Sequence, residues 1–351
     1  MPDARDQSPE ARSRPLIIPI FLPHAGCPHQ CVFCNQSSIT GAHSTPVSID
    51  VHHQIETFLN YRRKERGHTQ IAFFGGNFFG IQPQAVKRLL AEATEAVNAG
   101  QADSIRFSTR PDTVDRQRLS SIRGFPVTTI ELGVQSMNNT VLKRSNRGHT
   151  AADTVTAVQL LKEHDYEVGV QMMVGLPGDN AQRLRATARQ VARLKPDFIR
   201  IYPTVVLAGS PLATAYQKGE YVPLSLTEAV QQVKDLYLFF KSENIRVIRM
   251  GLQASTDLEN GSTILAGPYH PAFGHLVYSE IFLDMATVAL ESENPKGAAI
   301  TLHVHPRSVS KMRGQNNRNI KRLGEKFHLQ SVEIVPDDAL NEDQLKINAL
   351  R

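Results

Sequence analysis

The 351-residue sequence predicts an α/β fold, a parallel sheet curled into a barrel or partial barrel and followed by a small α+β domain. Three observations predict it. Short apolar runs alternate with helical periods from residue 16 to about 253. Several helical stretches open on capping-type residues. Beyond residue 298 the order changes to strand, helix, turn, helix, strand.

The apolar runs are 16-LIIPIFL-22, 70-QIAFFGG-76, 104-SIRFST-109, 128-TTIELGV-134, 167-EVGVQMMVG-175, 197-DFIRIYP-203 and 245-IRVIRMGL-252. Helical periods fill 85–99, 151–164, 181–194 and 226–242, with Thr150, Asn180 and Ser225 placed as N-caps. Strands alternating with helices mean βαβ units and a parallel sheet. Six or seven such units make a partial (β/α)6, TIM-like barrel, where chemistry gathers at the C-terminal ends of the strands. Residues 254–268 read as loop, with 260-NG-261 and 267-GP-268 as turn signals, and a helix is expected over 273–290. A linker, 292-SENPKG-297, leads to strand 298–304, helix 307–313, the polar turn 314-GQNN-317, helix 318–327 and strand 331–336. The expected organisation is a disordered tail (1–14), the barrel (15–253), a C-terminal extension capping it (254–295) and a small basic α+β domain (296–351). No internal repeat is visible.

No apolar run approaches the ~18–20 residues of a membrane span, so no membrane partner is expected. The N-terminal MPDARDQSPEARSRP lacks the apolar core of a secretory signal. A formal charge of +5 and a pI near 9.1 favour an anionic partner mildly. All three cysteines lie in 24-HAGCPHQCVFCNQ-36. An odd, clustered set argues against a disulfide framework and for a reducing, cytoplasmic setting.

A structural zinc site wants four protein ligands, and His24 or His29 could join Cys27, Cys31 and Cys34 as the fourth. An iron–sulfur cube also normally takes four cysteines. Three leave one iron open, which is useful only if something else binds there. The CxxxCxxC spacing directly after an apolar strand resembles the radical S-adenosylmethionine (radical SAM) superfamily. The resemblance implies a radical SAM barrel, a 4Fe–4S cluster held by Cys27, Cys31 and Cys34, and SAM chelated to the open iron through its amino and carboxylate groups. Phe33 falls where that family carries an aromatic residue.

Further strings carry the resemblance along the chain. In 72-AFFGGNFFG-80, Gly75 and Gly76 are similar to the glycine pair whose backbone accepts the SAM amino group. Asn77 stands there in place of the commoner Glu or Thr. In 107-FSTRPD-112, Ser108 occupies the position that serves the SAM ribose, and Arg110 could pair with the SAM carboxylate or with an anionic substrate. Gln135 and Arg147 resemble SAM contacts of oxygen-independent coproporphyrinogen oxidases. The string 146-NRGHT-150 resembles the radical SAM half of the Elongator catalytic subunit, a tRNA wobble-uridine modifying enzyme. In 171-QMMVGLPGDN-180, Gln171 and Gly175 are similar to the strand and turn that close over the adenine. Two residues are candidates for catalysis. Glu131 is either an inward residue near the substrate or half of a buried ion pair. Tyr202, in the Elongator-like 200-RIYPTVVLAGSPL-212, is a substrate contact or hydrogen donor, or else a core tyrosine. The resemblance ends with 266-AGPYHPAFGHLV-277, whose His270 and His275 lack metal-ligating neighbours.

With every cysteine used, an auxiliary cluster has no ligands. The resemblance then implies a single cluster that cleaves SAM and abstracts hydrogen through a 5′-deoxyadenosyl radical. Its electron would come from a flavodoxin or ferredoxin. No length remains for the acetyltransferase domain of the Elongator subunit, so acetyl transfer is not expected. The tail resembles a KH RNA-binding module, with Gly314-Gln315-Asn316-Asn317 in place of its GXXG loop. Asn tolerates the left-handed conformation that the missing second glycine would have adopted. The expected RNA contacts are Lys311, Arg313, Gly314, Arg318, Lys321 and Arg322; the alternative is a solvated basic face. Three functions follow: a radical SAM enzyme on RNA, above all tRNA; one on an anionic small metabolite such as a porphyrin or carboxylate; or a non-catalytic zinc- or RNA-binding protein.

Overall fold

The computed structural model describes residues 16–22, 24–35, 49–60, 68–253, 258, 263–293 and 297–350. The expected disordered tail, the Asn260-Gly261 turn and the middle of the 292–297 linker lie outside the described residues.

Seven parallel strands form one sheet: β1 (Leu16–Leu22), β2 (Thr69–Gly75), β3 (Ser104–Thr109), β4 (Val127–Gln135), β5 (Glu167–Val174), β6 (Phe198–Pro203) and β8 (Arg246–Met250), neighbouring one another in that order. Their bounds fall within two residues of the apolar runs. The intervening helices are α1 (Val51–Asn60), α2 (Pro83–Asn98), α3 (Arg116–Ile122), α4 (Asn139–Arg144), α5 (Ala151–Glu163), α6 (Ala181–Arg193), α7 (Pro211–Gln217) and α8 (Leu226–Ser242). The three expected caps are real. Thr150 and Ser225 close capping boxes with Asp153 and Glu228, and the Asn180 side chain accepts the Arg183 amide. Helices α1, α3, α4 and α7 escaped the sequence analysis because ten residues or fewer show little periodicity. A two-stranded antiparallel sheet, β7 (Val206–Leu207) with β9 (Ile264–Ala266), sits beyond the C-terminal end of β6.

The period of two along each strand sorts the side chains. Ile18, Ile20, Ile71, Phe73, Ile105, Phe107, Ile130, Val168, Val170, Ile199 and Ile201 are buried in the core. The alternate residues face a lumen, where the polar Gln70, Arg106, Ser108, Glu131, Gln171, Arg200 and Tyr202 stand among apolar side chains such as Ile17, Phe21, Phe74, Met173 and Phe198.

Helix α9 (Phe273–Glu293) is long and apolar enough, by length and composition, to cross a membrane, against the expectation that no run approaches such a span. Its apolar residues divide between two cores. Phe273 and Val277 join the barrel core, and Phe282, Leu283, Ala286 and Leu290 join the core of the tail. The tail itself is β10 (Ala299–Val304), α10 (Val309–Arg313), α11 (Arg318–Phe327), β11 (Ser331–Pro336) and β12 (Leu345–Leu350). β10 lies centrally, parallel to β11 and antiparallel to β12. β12 was missed in the sequence; its apolar alternation spans only Leu345, Ile347 and Ala349.

Candidate active site

The chain leaves β1 through a turn in which His24 and Gly26 have φ of 54° and 68°. The turn lies flat on the end of β2. A Cβ on Gly26 would stand 2.3 Å from the Asn77 carbonyl oxygen, and one on Gly76 would stand 2.1 Å from that of Ala25. The glycines are therefore required by this close approach. The Gly76 and Asn77 amides donate to Leu22 and Ala25 at 2.9 and 2.7 Å. Asn77, expected to face a cofactor, is fully buried and turned away from the lumen. Its Oδ1 accepts from Thr109 Oγ1 (2.7 Å), the Arg110 amide (3.0 Å) and Thr113 Oγ1 (2.8 Å). Its Nδ2 donates to the Gly26 carbonyl at 2.9 Å. The residue braces the cysteine loop against β3 and leaves no polar atom for a ligand.

A second segment holds the loop from the other side. The Val32 amide donates to Ser145 O (3.1 Å), and Asn146 Nδ2 donates to Gln30 O (2.8 Å). Arg147 Nη1 donates to Cys31 Sγ at 3.1 Å while its Nη2 donates to the Gly133 carbonyl. Gly148 lies directly against the His29 ring.

Cys27, Cys31 and Cys34 line one wall of a cavity of about 1100 Å³. Phe33, Gly75, Gly76, Ser108, Arg110, Gln135, Arg147, Gln171 and Tyr202 line it too, so most of the expected site residues converge. Gly175 does not. It lines a separate cavity of about 460 Å³, because its carbonyl is turned to the Tyr221 hydroxyl at 2.7 Å. Gln135 holds φ at 66° beside a register shift in β4, which keeps its side chain facing the lumen, and its Oε1 accepts from Gln171 Nε2 at 3.3 Å.

Glu131 lines the lumen and is held there in a buried ion pair. Oε1 lies 2.5 Å from Arg106 Nη2, and Oε2 lies 2.7 Å from Arg200 Nε. Arg200 in turn reaches Tyr202 Oη at 3.4 Å. Burial opposes the charge on Arg200, but Glu131 outweighs it and raises its pKa. Arg106 and Arg200 were missed in the sequence, although each sits two residues before an expected site residue on the same strand face. Arg110 forms a fork onto Asp112 at 2.9 and 2.7 Å, and burial of Asp112 is outweighed by those hydrogen bonds, which hold its carboxyl below the usual range. Arg110 Nη1 is buried without a partner. Behind it, burial and then the Arg147 and Arg110 charges press His149 down to about 3, so the neutral ring donates Nε2–H to Val134 O at 3.2 Å. Burial, then Cys31, pushes the Cys27 thiol up.

Among the described residues, no group of three His, Cys, Asp or Glu side chains converges closely enough to hold a single metal ion. A cube presents its irons at separate corners, so thiolates for it stand apart. Three thiols on one wall, an unpartnered guanidinium donor at Arg110 and open lumen beside them fit a cluster with an organic ligand.

In the tail, Gly314 has φ 67°, and a Cβ there would meet Ser279 Oγ at 2.8 Å. Asn316 and Asn317 both adopt the left-handed conformation that the sequence suggested. Two of the six expected RNA contacts carry charges already engaged. Lys311 lies over the Tyr278 ring and 3.7 Å from Glu342, and Arg322 pairs with Glu280 at 2.7 Å. Arg313, Arg318 and Lys321 are exposed and pair with no acid among the described residues.

Comparison with known proteins matches residues 21–191 to the Radical SAM superfamily and residues 196–282 to the radical SAM C-terminal domain. The chain is similar to the tRNA uridine(34) acetyltransferase of Methanocaldococcus infernus, 25% identical over 256 residues, covering 62% of this chain and 48% of that one. It is also similar to human Elongator complex protein 3, 23% identical over 277 residues, covering 64% and 50%. The chain thus spans about half the length of the curated relatives it matches. Among solved structures, an archaeal Methanocaldococcus infernus Elp3 lacking residues 1–46 shares the fold, with a TM-score of 0.61, 20% identity and coverage of 79% of this chain and 63% of that one. The chain belongs to the radical SAM superfamily and uses that family's 4Fe–4S cluster and S-adenosylmethionine.

Proposed function

We propose that this radical SAM enzyme works with a single cluster and modifies RNA, with tRNA as its substrate class. The observation that carries the reading is the match, across barrel and C-terminal region, to proteins named for the tRNA uridine they modify. The acetyl transfer in that name belongs to the longer relatives and is not carried over.

When bound, the cluster and SAM supply one-electron chemistry that ends in abstraction of a hydrogen atom from the substrate. The chain's own residues do the rest. Cys27, Cys31 and Cys34 would hold the cluster. Gly75 and Gly76, Ser108, Gln135 and Gln171 wall the space beside them, with Phe33 as an apolar face. Arg110 offers its unpartnered Nη1 to a carboxylate. Glu131 positions Arg200 and, through it, the Tyr202 hydroxyl, the candidate hydrogen donor. The reducing electron comes from a flavodoxin or ferredoxin. Arg313, Arg318 and Lys321 bind RNA phosphates beside the Gly314–Asn317 loop.

The test is anaerobic reconstitution followed by SAM cleavage with and without bulk tRNA, together with tRNA binding across a salt series. Neutralising Arg313, Arg318 and Lys321 together is expected to weaken binding and flatten the salt slope by up to about three units. Binding unchanged in that variant removes the tail from the reading. The arginine-rich lumen favours a second reading, an anionic small metabolite. It is distinguished by 5′-deoxyadenosine release that the metabolite stimulates and tRNA does not.

A further inference from the structure

The segment 145–148 does more than cover the cysteine loop. Residues 29–32 and 145–148 meet contact for contact, Val32 with Ser145, Gln30 with Asn146, Cys31 with Arg147 and His29 with Gly148. Three of these contacts are packing or neutral hydrogen bonds. The fourth puts a guanidinium 3.1 Å from a cysteine sulfur, and both residues are buried, at 7% and 6% exposure. Gly133 O fixes the same guanidinium through its other arm. A surface cation beside a thiolate would be screened by water; this one is not.

We propose that Arg147 is a positioning residue that sets the reduction potential of the cluster through Cys31. A hydrogen bond to a ligating sulfur, and a positive charge beside it, stabilise the more negative state of an iron–sulfur cluster. On reduction the cluster takes one electron from the reductant and no proton, so its charge falls by one while that of Arg147 is constant. The reduced form gains more from the cation than the oxidised form does, and the potential is higher than it would be without it. This role is separate from any contact between Arg147 and SAM, and it holds with SAM absent. It rests on the reading that Cys27, Cys31 and Cys34 are the cluster ligands.

The experiment is a redox titration of the reconstituted full chain against dithionite, followed by electron paramagnetic resonance, with SAM omitted. Broad visible absorbance of the wild-type protein, and its loss in Cys31→Ala, tests the ligand reading independently. In Arg147→Met, the ratio of reduced to oxidised cluster at the wild-type midpoint is expected to fall about tenfold, a shift of ~59 mV for a one-electron couple. Arg147→Lys keeps the charge and is expected to stay closer to wild type. Asn146→Ala removes the Gln30 contact but no charge, and is expected to leave the midpoint in place. A wild-type midpoint in Arg147→Met overturns the proposal. So does a shift in Asn146→Ala as large as that in Arg147→Met, because the effect is then one of loop position alone. Should Arg147→Met fail to hold a cluster, Arg147→Gln replaces it, and equal midpoints for the Gln and Lys variants overturn the proposal.

Discussion

Replacing Glu131 by Gln separates the two roles open to that residue. The substitution keeps shape and one acceptor but removes the charge between Arg106 and Arg200, whose side chains are 3% and 13% exposed. It also turns an amide donor toward groups that only donate. Breaking a buried ion pair from one side costs about 3–5 kcal/mol, because the remaining charge is stranded. Two guanidiniums are stranded here, yet each has other support. Arg106 donates to Gln70 Oε1 at 3.0 Å and lies over the Phe198 ring, and Arg200 lies over the Phe74 ring. The lower end, about 3 kcal/mol, is therefore expected. With an unfolding entropy of roughly 2.1 cal/mol/K per residue, that lowers Tm by about 4 °C, readable by calorimetry. Replacing all three residues by apolar ones of similar size is expected to recover most of the loss. A loss under about 1 kcal/mol for Glu131→Gln, with SAM cleavage abolished, would refute the reasoning and return Glu131 to chemistry.

The remaining expectations concern the braces, one buried histidine and the tail loop. Asn77→Ala strands the Gly26 carbonyl and the three donors that share Oδ1, and is expected to cost about 2–4 kcal/mol and to lower the iron retained per chain after reconstitution; full iron content and an unchanged Tm would argue against the brace. His149, at about 3 in the fold against 6.5 unfolded, binds its proton only when the chain unfolds across that window. Its contribution is thus fully present above 6.5 and is lost as pH falls, by up to about 1.4 kcal/mol per unit. Asp179, raised by burial to about 6, works in the opposite direction, so the measurement is the difference in urea stability between wild type and His149→Phe from pH 7 to 5. That difference should shrink as the solution is acidified, and a constant difference contradicts the assignment. Asn316→Ala is expected to cost about 1 kcal/mol for its φ of 53°, and Asn316→Gly nearly nothing; equal melting curves for the two would count against the left-handed turn.

The strands were legible because seven short apolar runs alternate with helical periods, and the caps because Ser, Thr and Asn preceded helical periods. The site was legible wherever a residue type has few other uses, as with three cysteines in eight positions. It was less so wherever one residue type serves two ends. Asn77 looked like a ligand because it follows a glycine pair; only the depth of the Ala25 turn shows that its amide is consumed by the loop. Gly175 looked like part of the cradle because it ends a strand, but the Tyr221 hydroxyl draws its carbonyl the other way. The basic tail looked continuous in sequence, yet Lys311 and Arg322 find acids distant in the chain, which composition cannot foresee.

The cysteine loop is held on both flanks by contacts that need no cofactor. On one flank Asn77 ties Gly26 to the end of β3, and the Gly76 and Asn77 amides tie Leu22 and Ala25 to the end of β2. On the other, Ser145 and Asn146 hold Val32 and Gln30. A loop fixed at both ends before metal arrives spends little ordering entropy when the cluster forms. The two braces share no partner, so their removal should act additively on stability. They meet again only through the three thiols, so their effects on iron retention should be non-additive. Asn77→Ala combined with Asn146→Ala is therefore expected to add in urea midpoint while retaining less iron than the product of the two fractions that the single variants retain. A retained fraction equal to that product would mean that the flanks act independently and that the loop is not held as one unit.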